Sequence, residues 1–199
     1  MSRIVTAYHG TLYEQACAMA EGRFDARPRS KARWLGSGLY FFEGNPEAAA
    51  YYATRRAMQK NGRPGILRAD IDLTTCLDLT ATSRQEVVRT AHRIMVADGS
   101  IDRLQITQKP FELQNGDVRA GWFGDYKDYG RNELDFAVIE RAVQLAREQQ
   151  NIVYETVRGA FIEGGPLYKD SWLYSGAHVA ITVREPPARM SNLRALELD

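Results

Sequence analysis

Trp34-Leu-Gly-Ser-Gly-Leu-Tyr-Phe-Phe42 is the stretch on which the fold turns. It reads as a Gly-x-Gly turn delivering the chain into a short aromatic strand, about residues 38–42. The glycines Gly36 and Gly38 let backbone amides approach a flat ligand that a Cβ would exclude. Upstream, an apolar strand from Ile4 ends in Tyr8-His9-Gly10-Thr11. A histidine, a glycine and a hydroxyl thus arrive at one strand end, which is where chains commonly build ligand sites. Each segment is a weak signal alone, and together they read as half of a pocket.

Outward from this pair, residues 12–21 carry Leu12, Ala16, Met19 and Ala20 at roughly helical spacing, and Gly22 ends the run. A proline-containing loop follows, crowded with Arg23, Arg27, Arg29, Lys31 and Arg33. It reads either as a solvated loop or as a cationic flap over a pyrophosphate. Asn45-Pro46 opens a helix to about Lys60, with proline in its first turn. Alternating Ile66, Ala69, Ile71 and Leu73 predict a strand, and Ser83-x-x-Glu86 is a capping box before a helix over 84–96, with His92 on its polar flank. Residues 107–131 lack a period and read as a long ordered loop holding Trp122, Phe123, Tyr126 and Tyr129. A helix over 133–149 and closing strands over 157–162 and 178–183 complete the chain. Strands interspersed with helices predict one α+β domain over 1–199, with a helical insertion at about 81–150 and two small packed sheets enclosing a cleft.

The composition bounds the function. At 199 residues, with 44% hydrophobic and 26% charged, the chain has ordinary soluble composition and length enough for a real core. A net charge of +1 supplies no bulk attraction to nucleic acid or to a membrane surface. No apolar run reaches the ~20 residues of a membrane span, and the start of the chain lacks a signal-peptide core. Cys17 and Cys76 are too few and too far apart for a metal site or a disulfide framework, so a reducing, cytoplasmic setting is expected.

His9-Gly10-Thr11 and Gly36-Ser37-Gly38-Leu39-Tyr40-Phe41 resemble the first two motifs of the ADP-ribosyltransferases of the diphtheria-toxin and poly(ADP-ribose) polymerase type, which read His-Gly-Ser/Thr and Gly-x-Gly-Ile-Tyr-Phe. That family carries a second tyrosine eleven residues after the first, and Tyr51 stands at that spacing from Tyr40. The resemblance covers about the first fifty residues well and the last forty loosely. It implies a cleft for NAD as co-substrate, without a metal. In that cleft His9 would bond a ribose hydroxyl with Thr11 in support, and Gly10 would offer its backbone to the carboxamide. Tyr40 and Tyr51 would supply faces for the nicotinamide, with Gly36, Gly38 and Phe41 around them. One departure is Ala48, where the family often has a serine bonding the carboxamide; losing one such bond removes about 1 kcal/mol.

Cleaving the nicotinamide–ribose bond develops an oxocarbenium-like sugar, which a carboxylate stabilises. Laid on Ala177-His178-Val179-Ala180-Ile181, the family pattern puts His178 where that glutamate stands, as non-acidic residues do in some mono-transferases of the group. The alternative is Glu163, at a strand end beside Gly164-Gly165, where it is a cleft acid or a solvent-facing corner; His178 is equally a hydrogen-bonded strand residue. Leu167, Tyr168, Trp172 and Tyr174 occupy the loop with which relatives meet their acceptor. The expectation is a mono-ADP-ribosyltransferase that modifies a protein or nucleic-acid acceptor and releases nicotinamide. Its size suits a toxin, effector or defence protein, cytoplasmic or delivered. The alternatives are a degenerate NAD- or ADP-ribose-binding module, and an RNA 2′-phosphotransferase or NAD hydrolase on the same scaffold, the former needing arginines that only the 23–33 segment provides.

Overall fold

The structure, a computed structural model, describes residues 3–24, 34–104, 133–162, 166–171 and 173–198. Its elements in chain order are β1 (Ile4–Leu12), α1 (Tyr13–Ala20), β2 (Leu39–Glu43), α2 (Pro46–Lys60), β3 (Pro64–Asp72), β4 (Cys76–Asp78), α3 (Thr82–Ala97), α4 (Glu133–Gln150), β5 (Thr156–Phe161), β6 (His178–Val183) and β7 (Met190–Glu197). The fold is mixed α+β, with α3 and α4 falling in the stretch 81–150. The cationic segment 25–33, the aromatic segment 105–132, Glu163 with Gly164 and Gly165, and Trp172 lie outside the described residues.

The strands form one seven-stranded sheet in the order β4-β5-β6-β2-β1-β3-β7, where two packed sheets were expected. The physical reason is a narrow bridge at its centre. β1 and β3 pair along nine consecutive positions from Ile4↔Asp72 to Leu12↔Pro64, and β2 pairs with β6 from Leu39↔Val183 to Phe42↔Ala180. Between β1 and β2 the ladder holds only Ala7↔Glu43 and Tyr8↔Phe42. A four-stranded half and a three-stranded half are therefore joined along a short seam, beyond which β1 and β2 part. β2 lies between β1 and β6, and the chain's final strand is β7, on the far edge against β3.

Strand alternation sorts the side chains to two faces. One carries Ala7, Phe41, Leu67, Ala69, Ile71, Ile181 and Val183 against Ala16 of α1. The other carries Val157 and Ala180 against Leu35, Ile139 and Ala146 of the α4 side, with Tyr40 and Phe161 at its margin. α2 covers this second face over β1, since a Cβ at Gly10 would collide with the Ala49 carbonyl oxygen and stand 2.9 Å from Ala53 N. Asn45 caps α2 by accepting from Ala48 N at 2.9 Å, so the helix starts where its asparagine-proline signal predicts. The capping box of α3 does not form: the helix begins at Thr82 with Ala81 at its N-cap, and Glu86 instead receives Arg93 at 2.6 Å. His92 is exposed, as expected.

On the first face Arg158, 8% exposed, clamps the four-stranded half. Its Nε and Nη2 donate to the two oxygens of Glu43 at 2.5 and 2.9 Å, and its Nη1 reaches Asp78 at 3.1 Å and Thr80 Oγ1 at 2.7 Å. The Glu43 bonds hold the guanidinium charged despite burial. Among the described residues no helix is long and apolar enough to cross a membrane.

Candidate functional site

The two sequence motifs meet where the sheet splits. Gly44 N donates to Thr6 O at 3.0 Å, so the backbone groups of Thr6 point to β2. Leu73 N donates to Arg3 O and Tyr13 N to Arg63 O, which places the odd-numbered positions of β1 toward β3. By alternation the amide and carbonyl of Gly10 point toward β2, one step past the last partner pair, Tyr8↔Phe42. There the Tyr40 carbonyl, which a continued ladder would offer to Gly10, accepts instead from His9 Nδ1 at 2.7 Å. A carbonyl only accepts, so Nδ1 carries the hydrogen, and in the neutral ring Nε2 is an acceptor. The imidazole thus bridges the two strands where their ladder ends, on the face of Phe41, whose ring lies 5.8 Å away, and on the side of the sheet opposite the Tyr40 ring.

Tyr40 is fixed from its other end. Its hydroxyl donates to Gly36 O and accepts from Leu35 N, both at 2.8 Å, closing the Gly36-Ser37-Gly38 turn on itself. Both glycines have positive φ, 77° and 142°. Protein, rather than open space, fills their missing Cβ positions: Glu140 Oε1 at Gly36 and the Val183 carbonyl oxygen at Gly38. The Ser37 amide donates to Glu140 Oε1 at 2.7 Å, and Arg184 donates to both oxygens of Glu140 at 2.8 and 2.9 Å. Burial works to raise the Glu140 carboxyl, but the Arg184 guanidinium and the Ser37 amide outweigh it and hold the group below its ordinary range.

The remaining expected residues are placed as follows. Thr11 is buried and its hydroxyl donates to Gln15 Oε1 at 2.7 Å, at the start of α1. Phe41 is a core residue on the face opposite Tyr40. Tyr51 is 37% exposed on α2, with the Arg55 guanidinium 5.9 Å from its ring, while its neighbour Tyr52 packs 5.6 Å from Phe42. Ala48 is buried. His178 shares the face of Tyr40 but sits four residues along β6 from its partner Thr182, roughly 13 Å at the rise of a strand. Burial lowers its pKa and the Gly176 carbonyl, accepting from Nδ1 at 2.9 Å, offsets this only in part. His178 is therefore neutral at neutral pH, with an acceptor at Nε2. Glu163 lies outside the described residues.

Sequence reasoning missed two things here. One is an aromatic row along the face of Tyr40: Tyr52 to Phe42 at 5.6 Å, Phe42 to His178 at 5.1 Å, His178 to Phe161 at 5.7 Å, and Phe161 stacked on Trp34 at 4.5 Å. The alternation of Phe42 with Tyr40, and of Phe161 with Val157, was its available signal. The other is Glu140 with Arg184, for which the sequence holds none. Among the described residues no group of three or more His, Cys, Asp or Glu side chains could hold a metal ion. No protein-family model matches the chain, and neither a curated protein nor a solved structure matches it.

Proposed function

We propose that this protein is an NAD-dependent mono-ADP-ribosyltransferase that transfers ADP-ribose to a macromolecular acceptor and releases nicotinamide. The observation that carries the reading is the bond from His9 to the Tyr40 carbonyl at the point where β1 and β2 part. A nicotinamide carboxamide has one acceptor and one donor edge, matching the amide and carbonyl that Gly10 turns toward β2 beyond the last paired residues. His9, fixed beside that point through Nδ1, is the residue that the resemblance gives to a ribose hydroxyl. The aromatic row beyond Phe42 offers faces to the adenine or to the acceptor. NAD supplies the leaving nicotinamide and the electrophilic ribose carbon. The protein orients it and stabilises the developing positive charge, a task for Glu163.

A second reading, a binding module without chemistry, is favoured by one observation: His178, at the start of β6 where the resemblance places the acid, is an imidazole and supplies no negative charge to a sugar cation. Nicotinamide release from NAD separates the two. Glu163→Gln is expected to keep NAD binding and lose roughly 10² or more in turnover, with His178→Ala retaining activity. Release that survives Glu163→Gln and collapses in His178→Ala would reverse the assignment. No release from the parent across protein and nucleic-acid acceptors, with NAD still bound, would leave the binding module; no NAD binding at all would end both.

A further inference from the structure

We infer that Glu140 is a positioning residue: its carboxylate, supplied by α4, sets the Gly36–Gly38 turn and through it the place of Tyr40. Its relevance to NAD rests on the reading above, whereas its action on Tyr40 does not. The connection is continuous. Arg184 fixes both oxygens of Glu140, Oε1 takes the Ser37 amide, and the missing Cβ of Gly36 makes room for that same oxygen. The neighbouring Gly36 carbonyl and Leu35 amide then hold the Tyr40 hydroxyl, and the Tyr40 carbonyl holds the His9 ring. A displacement of the turn therefore moves both a ring and a backbone acceptor of the seam. The anchor is charged, half-buried and paired, so its bond to the amide is of the stronger, charge-assisted kind. Neither glycine of the turn is open to a ligand on its Cβ side, which makes the Gly-x-Gly spacing a requirement of α4 and β6 as much as of any nucleotide.

Two variants separate positioning from bulk stability. Arg184→Met and Glu140→Ala both break the ion pair, and only Glu140→Ala removes the acceptor of the Ser37 amide. Both are expected to lower Tm by similar amounts. KM for NAD in the nicotinamide-release assay is expected to rise roughly tenfold or more in Glu140→Ala, the equivalent of ~1.4 kcal/mol, and to change little in Arg184→Met. Glu140→Gln, which restores a neutral acceptor, should recover part of the loss. In the ¹⁵N-labelled parent the Ser37 amide resonance should follow the titration of Glu140 at acid pH, and the Tyr40 ring resonances should shift in Glu140→Ala but not in Arg184→Met. Equal rises in KM in Glu140→Ala and Arg184→Met, or a Ser37 amide blind to that titration, would overturn the inference. A parent that neither binds nor cleaves NAD, with Tyr40 still shifting in Glu140→Ala alone, would overturn the proposed function and leave the anchor standing.

Discussion

His178 shows how a single environment decides what a side chain can do. An imidazole near 6.5 in the unfolded chain is pushed lower by burial among Phe42 and Phe161, so the folded protein binds this proton less readily than the unfolded one. Stability then rises with pH wherever the unfolded chain holds more protons. The contribution of His178 is complete above about 6.5 and declines as pH falls from there toward the lowered folded value. Glu140 and Asp78, whose carboxyls are held below their ordinary values, begin to contribute losses only under about 4.5. A fall in Tm between pH 7 and pH 5 in the parent, flattened in His178→Gln, is the expected result of thermal melts across that range. Parallel slopes would show that the ring titrates as it does in water. That β1 and β2 carry the two motifs was legible, because each motif is local and its strand signal is strong; that His9 meets Tyr40 through a backbone carbonyl, with the two rings on opposite faces, was not. The partner of Ser37 was not, since nothing in the chain links residue 37 to residue 140 before both are packed.

Among the elements, α2 was the most legible and β7 the least. Asn45 and Pro46 state where α2 begins in terms of bonds that the helix makes with itself. β7 carries Leu193 and Ala195 among Ser191, Asn192, Arg194 and Glu197, a polar alternation that becomes a strand only because the outer edge of β3 is there to pair. The three residues of β4 are likewise defined by their parallel partner β5. The capping box misled because residues 78–80 already turn the chain: Thr80 N donates to Asp78 Oδ1 at 3.1 Å, and the helix enters directly from that turn at Thr82. α2 also gives Gly10 a second meaning, since the helix backbone occupies the space of its Cβ. Gly10→Ala is expected to cost about 1–3 kcal/mol or more in urea denaturation, because a helix backbone yields less readily than a side-chain tip. An unchanged midpoint would show that α2 rests further from β1.

At the scale of the molecule the sheet has a stiff half on each side of a weak joint. Amides at the seam, Phe42 and Gly44, are expected to exchange with solvent faster than Ala69, which lies within the nine-position β1–β3 ladder. NAD at a hundred times its dissociation constant should slow them, since a ligand of the folded state alone adds about 2.7 kcal/mol. Equal protection of Phe42 and Ala69 in the free protein would argue against a joint. The two-sheet expectation was wrong about connectivity: the halves are one sheet, joined through the two residue pairs between β1 and β2. The reach of the anchor also has a consequence in time. Ser37 and its carboxylate are 103 residues apart in the chain, and the arginine that fixes that carboxylate is Arg184. At ~5–20 residues per second, roughly 7 to 30 s of synthesis separate Tyr40 from Arg184. A nascent chain therefore carries both motifs long before it holds Glu140 or β6, the strand that pairs with β2, and the turn that carries Tyr40 reaches its final place only once both have been made.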